Sequence, residues 1–146
     1  MAQVRASSER IINAPVDRVR EAVADYTEIR PRILTEEFSD YRVESGGRGA
    51  GTVVHWKLAA TRKRTRDCTM RVEQQGDQLV ERDTNSSLVT TWTVAPTEDG
   101  RCTVRVSSTW TGARGVKGFF ERRFAPLGLR RIYDGVLAKL DEAVQA

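Results

Sequence analysis

Residues 102–144 read CTVRVSSTWTGARGVKGFFERRFAPLGLRRIYDGVLAKLDEAV and change period in mid-stretch. Up to Trp110, apolar or small residues (Cys102, Val104, Val106, Ser108) alternate with Thr103, Arg105, Ser107 and Thr109. Period two means a strand with one packed and one wet face. After the glycines at 112, 115 and 118 the spacing becomes helical. Ile132, Tyr133, Val136, Leu137, Leu140 and Val144 form one stripe, with Arg130, Arg131, Asp134, Lys139, Asp141 and Glu142 opposite. A strand thus hands over to a long helix that docks by one face. Pro126 removes a backbone donor and predicts a kink or restart there.

Working back from this stretch, the same alternation recurs. Tyr41-Val43-Ser45, Val54-Trp56-Leu58, Cys68-Met70-Val72 and Leu88-Thr90-Trp92-Val94 each share a face. Gly46 to Gly51, Gly76-Asp77 and Glu98-Asp99-Gly100 separate them as turns. Gln78 to Thr84 adds a strand whose faces are less distinct. Before these, Val4 to Ile12 reads as a strand. Pro15 opens an amphipathic helix carrying Val16, Val19, Val23 and Tyr26, and a second short helix ends near Leu34. The predicted fold is α+β: a curved antiparallel seven-stranded sheet wrapped on a long C-terminal helix, with two short helices after the first strand. A lone curved sheet needs a cover, and the last helix is the only element long enough. Such an arrangement encloses a concave apolar space of the kind ligands favour. No linker divides the chain, so residues 1–146 read as one domain.

Composition narrows the classes. The chain has 146 residues, 39% of them hydrophobic, one histidine, two cysteines and a net charge of +4. That length suits one domain, which buries about two-thirds of its unfolded surface and needs no disulfide or metal. No apolar run approaches a spanning helix or a signal peptide, so a cytoplasmic location is expected. Cys68 and Cys102 sit in strand-like runs and read as reduced core thiols. No HExxH, CxxC, EF-hand, GxGxxG or Walker pattern occurs, so no cofactor or metal is expected. Gly46 to Gly51 precedes a strand rather than a helix, and reads as a flexible turn rather than a phosphate loop.

The order of elements and several local sequences resemble the START-like, helix-grip superfamily, often called SRPBCC, and within it the polyketide cyclase/dehydrase group. The matching pieces are Ile12-Asn13-Ala14-Pro15-Val16-Asp17-Arg18-Val19, then Ala24-Asp25-Tyr26 before a proline, then Gly49-Ala50-Gly51-Thr52-Val53-Val54-His55-Trp56. Phe124-Ala125-Pro126-Leu127 leading to Leu137-Ala138-Lys139-Leu140 completes the set. The resemblance spans nearly the whole chain. It implies a fold that holds lipids, sterols, polyketides or other apolar molecules between sheet and helix. Some members are aromatase/cyclases. Fold does not fix function, and no catalytic motif carries over residue by residue.

Parity nominates the inward residues. Trp56, Trp92 and Trp110 share the packed face, where they either fill the core or wall a flat apolar ligand. Phe119, Phe120, Phe124 and Tyr133 are expected to face them from the helix. Thr90, Ser108 and Tyr133 are expected to offer hydrogen bonds, with Tyr26 and Tyr41 near one end. Arg66 shares the parity of Cys68 and is expected to reach the pocket; Arg10 and Arg82 are ambiguous. A buried arginine needs a partner, which Glu81 or Asp83 can supply. His55 shares the parity of Lys57 and is expected to face solvent. Cys68 has no histidine of matching parity to activate it.

Thr61-Arg62-Lys63-Arg64-Thr65-Arg66 is the strongest basic cluster, with Arg122-Arg123 and Arg130-Arg131 besides. The 20 interspersed acidic residues argue against nucleic acid. Hairpin 61–66 is expected to be a solvated tip able to make transient membrane contact. The expected partner is a small hydrophobic molecule, and the expected assembly a monomer or homodimer. Three functional readings stand: a binding protein, a cofactor-independent cyclase or dehydratase working in the same cavity, and an interaction module with a vestigial cavity.

Overall fold

A computed structural model of the chain describes residues 3–61, 64–111 and 115–146, without the side chains of residues 60, 61, 64 and 115–125. The alternating segments form strands β1 (Gln3–Ile12), β2 (Phe38–Ser45), β3 (Val53–Thr61), β4 (Arg64–Gln75), β5 (Gln78–Asp83), β6 (Val89–Pro96) and β7 (Cys102–Thr111). The helices are α1 (Val16–Val23), α2 (Ile29–Ile33) and α3 (Gly115–Gln145). All seven strands join one antiparallel sheet in the order β1-β7-β6-β5-β4-β3-β2. The meander therefore runs from β2 to β7, and β1 returns to pair with β7 from Gln3↔Thr111 to Ile12↔Cys102. This is the helix-grip fold.

The inner face carries the residues that parity assigns to it. Val104, Val106, Ser108 and Trp110 are buried along β7, and Leu129, Ile132, Tyr133, Val136, Leu137, Leu140 and Val144 along α3. Both cysteines are buried free thiols. Register sets Glu81 opposite Thr90, and Thr90 opposite Ser108, as one polar rung across β5, β6 and β7. Trp92 lies on the next rung, between Leu79 and Val106. α3 packs against β1, α2 and β3.

Three local expectations need correction. α3 continues through Pro126 and does not restart there. The glycine-rich turn is tied down rather than flexible. Tyr26 N donates to Gly47 O at 3.0 Å, Gly49 N donates to Ala24 O at 2.9 Å, and Arg48 pairs with Asp25 at 3.6 Å. Gly47 (φ 140) needs its missing side chain, since a Cβ there would lie 2.7 Å from Thr27 Oγ1. His55 lies on the outer face, as parity requires, yet it is buried rather than solvent-facing. Its Nδ1 sits 2.9 Å from Asp40 O, and its Nε2 hydrogen-bonds Asp67 Oδ1. The cause is Asp40 (φ 53), in a register shift of the β2–β3 pair, which folds over the imidazole.

Candidate functional site

α2 has only five residues, and its buried pair is Arg30 and Ile33. The turn before it is pinned by Asp25, whose Oδ1 accepts from Thr27 N at 3.1 Å and Glu28 N at 2.9 Å. An Asp that captures backbone N–H groups two and three residues on fixes such a turn. This sends the Arg30 side chain inward, where it is 1% exposed. Its Nη1 donates to Glu81 Oε2 at 2.6 Å and its Nη2 to Val23 O at 2.9 Å. The guanidinium lies over the rings of Tyr26, at 4.3 Å, and Trp92, at 4.8 Å. Glu81 also accepts from Tyr26 Oη at 2.5 Å and from Trp92 Nε1 at 3.3 Å. A buried ion pair is tolerable when neighbouring groups fill most of its remaining hydrogen-bonding capacity; here the Arg30 Nε–H is left without a partner.

Burial alone would lower the Arg30 pKa, but Glu81 and the neighbouring tyrosines reverse this and hold it raised. Burial, then Glu81, pushes the Tyr26 phenol well above its ordinary value. Burial pushes Tyr133 up to about 12, although its bonds to Ser108 and Thr90 pull the other way. Burial, then Asp83, pushes the Cys68 thiol up to about 12, so it is no nucleophile near neutrality.

Beside the ion pair, continuing the rung from Glu81, runs a hydroxyl chain. Thr90 Oγ1 is 2.6 Å from Ser108 Oγ, which also hydrogen-bonds Tyr133 Oη. Pair and chain both border a cavity of about 30 Å³. Arg30, Glu81, Thr90 and Tyr133 supply its polar lining, and Trp56, Met70, Leu88 and Trp92 are among its apolar walls. Trp56 is itself held by Tyr41 stacked at 6.3 Å and Phe38 edge-on at 6.0 Å. A second, open hollow of about 350 Å³ lies between α1 and the β4–β5 turn, with Leu79 and Trp92 in its lining. Trp92 therefore borders both spaces.

The structure thus brings Trp56, Thr90, Trp92 and Tyr133 together around the cavity, with Ser108 behind them in the hydroxyl chain. Tyr26 and Tyr41 lie at its Arg30 end, Tyr41 Oη donating to Tyr26 O. Trp110 is buried opposite Val4 and is not in this lining. The expectation for Arg66 is corrected. Its Nη1 reaches Ser86 Oγ at 3.4 Å in an exposed setting near the start of β4, where a long cation stays hydrated. Arg10 pairs with Asp141 at 2.9 Å and Arg82 with Glu73 at 3.2 Å, both exposed. The side chains of Phe119, Phe120 and Phe124 lie outside the described residues, as do Arg62 and Lys63 of the basic hairpin. The buried arginine that Glu81 calls for is Arg30, which parity could not nominate. The available signal was an acidic residue in a central strand, flanked by buried Leu79 and Val80.

The comparisons agree with this architecture. Residues 3–145 match the family described as polyketide cyclase/dehydrase and lipid transport. The chain belongs to this family. No curated protein matches it. The solution structure of a protein named KanY is 52% identical over 100% of both chains, with a TM-score of 0.90. The Zhui aromatase/cyclase from Streptomyces sp. R1128 is 13% identical over 99% of this chain and 94% of that one, with a TM-score of 0.76. A START superfamily protein from Mycobacterium smegmatis is 11% identical over 97% of both chains, with a TM-score of 0.73. At such low identities the last two share the fold alone. Among the described residues, no helix is long and apolar enough to cross a membrane, and no cluster of ligating side chains could hold a metal.

Proposed function

We propose that this family member binds a small hydrophobic molecule between the sheet and α3. The observation that carries this is the cavity itself: aromatic and aliphatic walls around four convergent polar side chains, Arg30, Glu81, Thr90 and Tyr133. Ligand sites have this composition, mostly apolar with a few placed polar groups that orient the guest. The cavity as it stands admits about one water. A ligand therefore enters by displacing side chains or by parting α3 from the sheet.

Native mass spectrometry of the freshly purified protein tests this directly, with a co-purified small molecule as the expected result. Trp56 and Trp92 line the cavity, so lipids or polycyclic aromatics should also change tryptophan emission. No adduct and no spectral response across such a panel would overturn the proposal.

A second reading is a cofactor-independent cyclase or dehydratase. One feature favours it: a carboxylate and a phenol, Glu81 and Tyr133, line the same small cavity. The Tyr133 hydroxyl, a preorganised donor, would polarise a ligand carbonyl there. Incubation with a reactive polyketone separates the readings, since a binding protein returns it unchanged.

A further inference from the structure

Of the two spaces that Trp92 borders, the outer one is the larger. The hollow between α1 and the β4–β5 turn measures about 350 Å³, within the range of small-molecule sites, whereas the inner cavity holds about one water. Val23 and Ala24 from α1, Leu79 from β5, and Trp92 and Val94 from β6 give the hollow apolar walls. Arg20 from α1 and Asp77 from the turn put a charge on each side.

Arg20 is exposed, yet its side chain is tied in place. β5 begins at Gln78, opposite Thr93, so Val94 lies one residue past the last β5–β6 pair. Arg20 Nη2 donates to the Val94 carbonyl there at 2.9 Å. That bond uses one of the guanidinium's five N–H groups. A guanidinium grips a carboxylate by a pair of parallel N–H groups along one edge. Nη2 contributes one N–H to each of two such edges, so the bond to Val94 leaves one edge whole. Among the described residues, no carboxylate lies within ion-pair distance of Arg20. A third hollow, of about 510 Å³ near the end of α3, lacks both features: its Arg10 is spent on Asp141, and its apolar lining is alanine.

We propose that the α1 hollow is a second small-molecule site, separate from the cavity between sheet and α3, and that it takes a carboxylate with a compact apolar body. The body covers Val23, Leu79 and Trp92, and the carboxylate takes the open edge of Arg20. Asp77 opposes the guest's charge from the turn, but it is exposed and stays hydrated. This site goes beyond the inner-pocket reading and stands without it.

The test uses the full-length chain labelled with ¹⁵N, with 2-naphthoate and its neutral methyl ester as probes at pH 7.4 in low salt. Amide shifts locate the guest, since Ala24, Gly76 and Asp77 surround this hollow and Met70, Thr90 and Val136 the inner cavity. 2-Naphthoate should shift the first group and bind about fivefold more tightly there than the ester, the upper range for an exposed charge pair. Added salt should narrow that ratio. Arg20→Gln should abolish it and Asp77→Asn should widen it, with the same spectra showing that each variant keeps its fold. No shift with 2-naphthoate, shifts confined to the second group, equal affinity for the two probes, or a ratio that Arg20→Gln leaves unchanged would each overturn the proposal. Shifts confined to the second group would at the same time support the inner pocket, so the two readings fail separately.

Discussion

Two ion pairs in this chain have the same length and opposite surroundings. Arg30–Glu81 and Arg101–Asp99 both measure 2.6 Å. The first is 2% exposed at both side chains, the second 44% and 52%. The surface pair spans the β6–β7 turn, where Thr97 Oγ1 also bonds Asp99 at 2.5 Å. Its hydrogen bonds to Arg101, then to Thr97, hold the Asp99 carboxyl well below its ordinary range. Water screens that pair, and the chain loses little if one partner leaves. The buried pair has no water to fall back on. Removing one member strands the other's charge in a dry interior. Distance alone is thus a poor guide to what a pair does; its surroundings decide.

The largest effect is expected from breaking the buried pair one side at a time. Arg30→Met and Glu81→Leu should each lower stability by about 3–5 kcal/mol. The double variant leaves no stranded charge, so it should be less destabilised than Glu81→Leu alone. Urea unfolding of all three variants measures this. Strictly additive losses would mean that the two groups do not act as a pair.

Alkaline pH probes the same interior without mutation. The chain has three tyrosines, and all three are raised, by burial first in each case. The unfolded chain ionises near the ordinary tyrosine value of about 10. The folded chain does not until higher pH, with Tyr133 and Cys68 near about 12. A group whose pKa is raised by folding binds more protons in the folded state. Stability is therefore complete below the ordinary values and falls as pH rises toward 12. Tyrosinate absorbance of the folded protein should be absent at pH 10. A half-titrated spectrum at that pH, with the fold intact, would refute the dry interior.

Tyr26→Phe asks how much one donor contributes to the pair. It keeps the ring under the Arg30 guanidinium and removes the hydroxyl that bonds Glu81. Hydrogen bonds to charged groups contribute about 1.5–3 kcal/mol, so the loss should fall in that range. A neutral result would mean that water replaces the phenol, and that this end is wetter than its burial indicates.

How much of this contrast was legible in sequence follows from the physics of each element. Long strands advertise their faces. Trp56, Thr90, Trp92 and Ser108 could be nominated because period two persists in strands of eight to ten residues, β3, β6 and β7. Arg30 could not. A five-residue helix shows too little periodicity to mark a buried face. Its burial is settled by Glu81, which is distant in sequence. β5 obscured that partner, because Leu79, Val80 and Glu81 are buried in succession and break the alternation. Arg66 failed for a different reason. Its parity was right, but it sits where the β3–β4 pair approaches its tip, and parity does not say how far a face stays covered.

The smallest effect sharpens the comparison from its other side. Arg101→Ala deletes a pair as short as the buried one, along with the charge-assisted bond from Arg101 Nε to Asp99 at 2.7 Å. The turn keeps its other supports, since Thr97 N still donates to Arg101 O at 2.8 Å, and this backbone contact needs no side chain. Gly100 (φ 80) retains the left-handed conformation that shapes the turn. Asp99 stays hydrated when its partner leaves, so no stranded charge results. The urea midpoint should match wild type, in low salt as in high. A loss comparable to that of Arg30→Met would mean that geometry outweighs burial, and the contrast between the two pairs would fail.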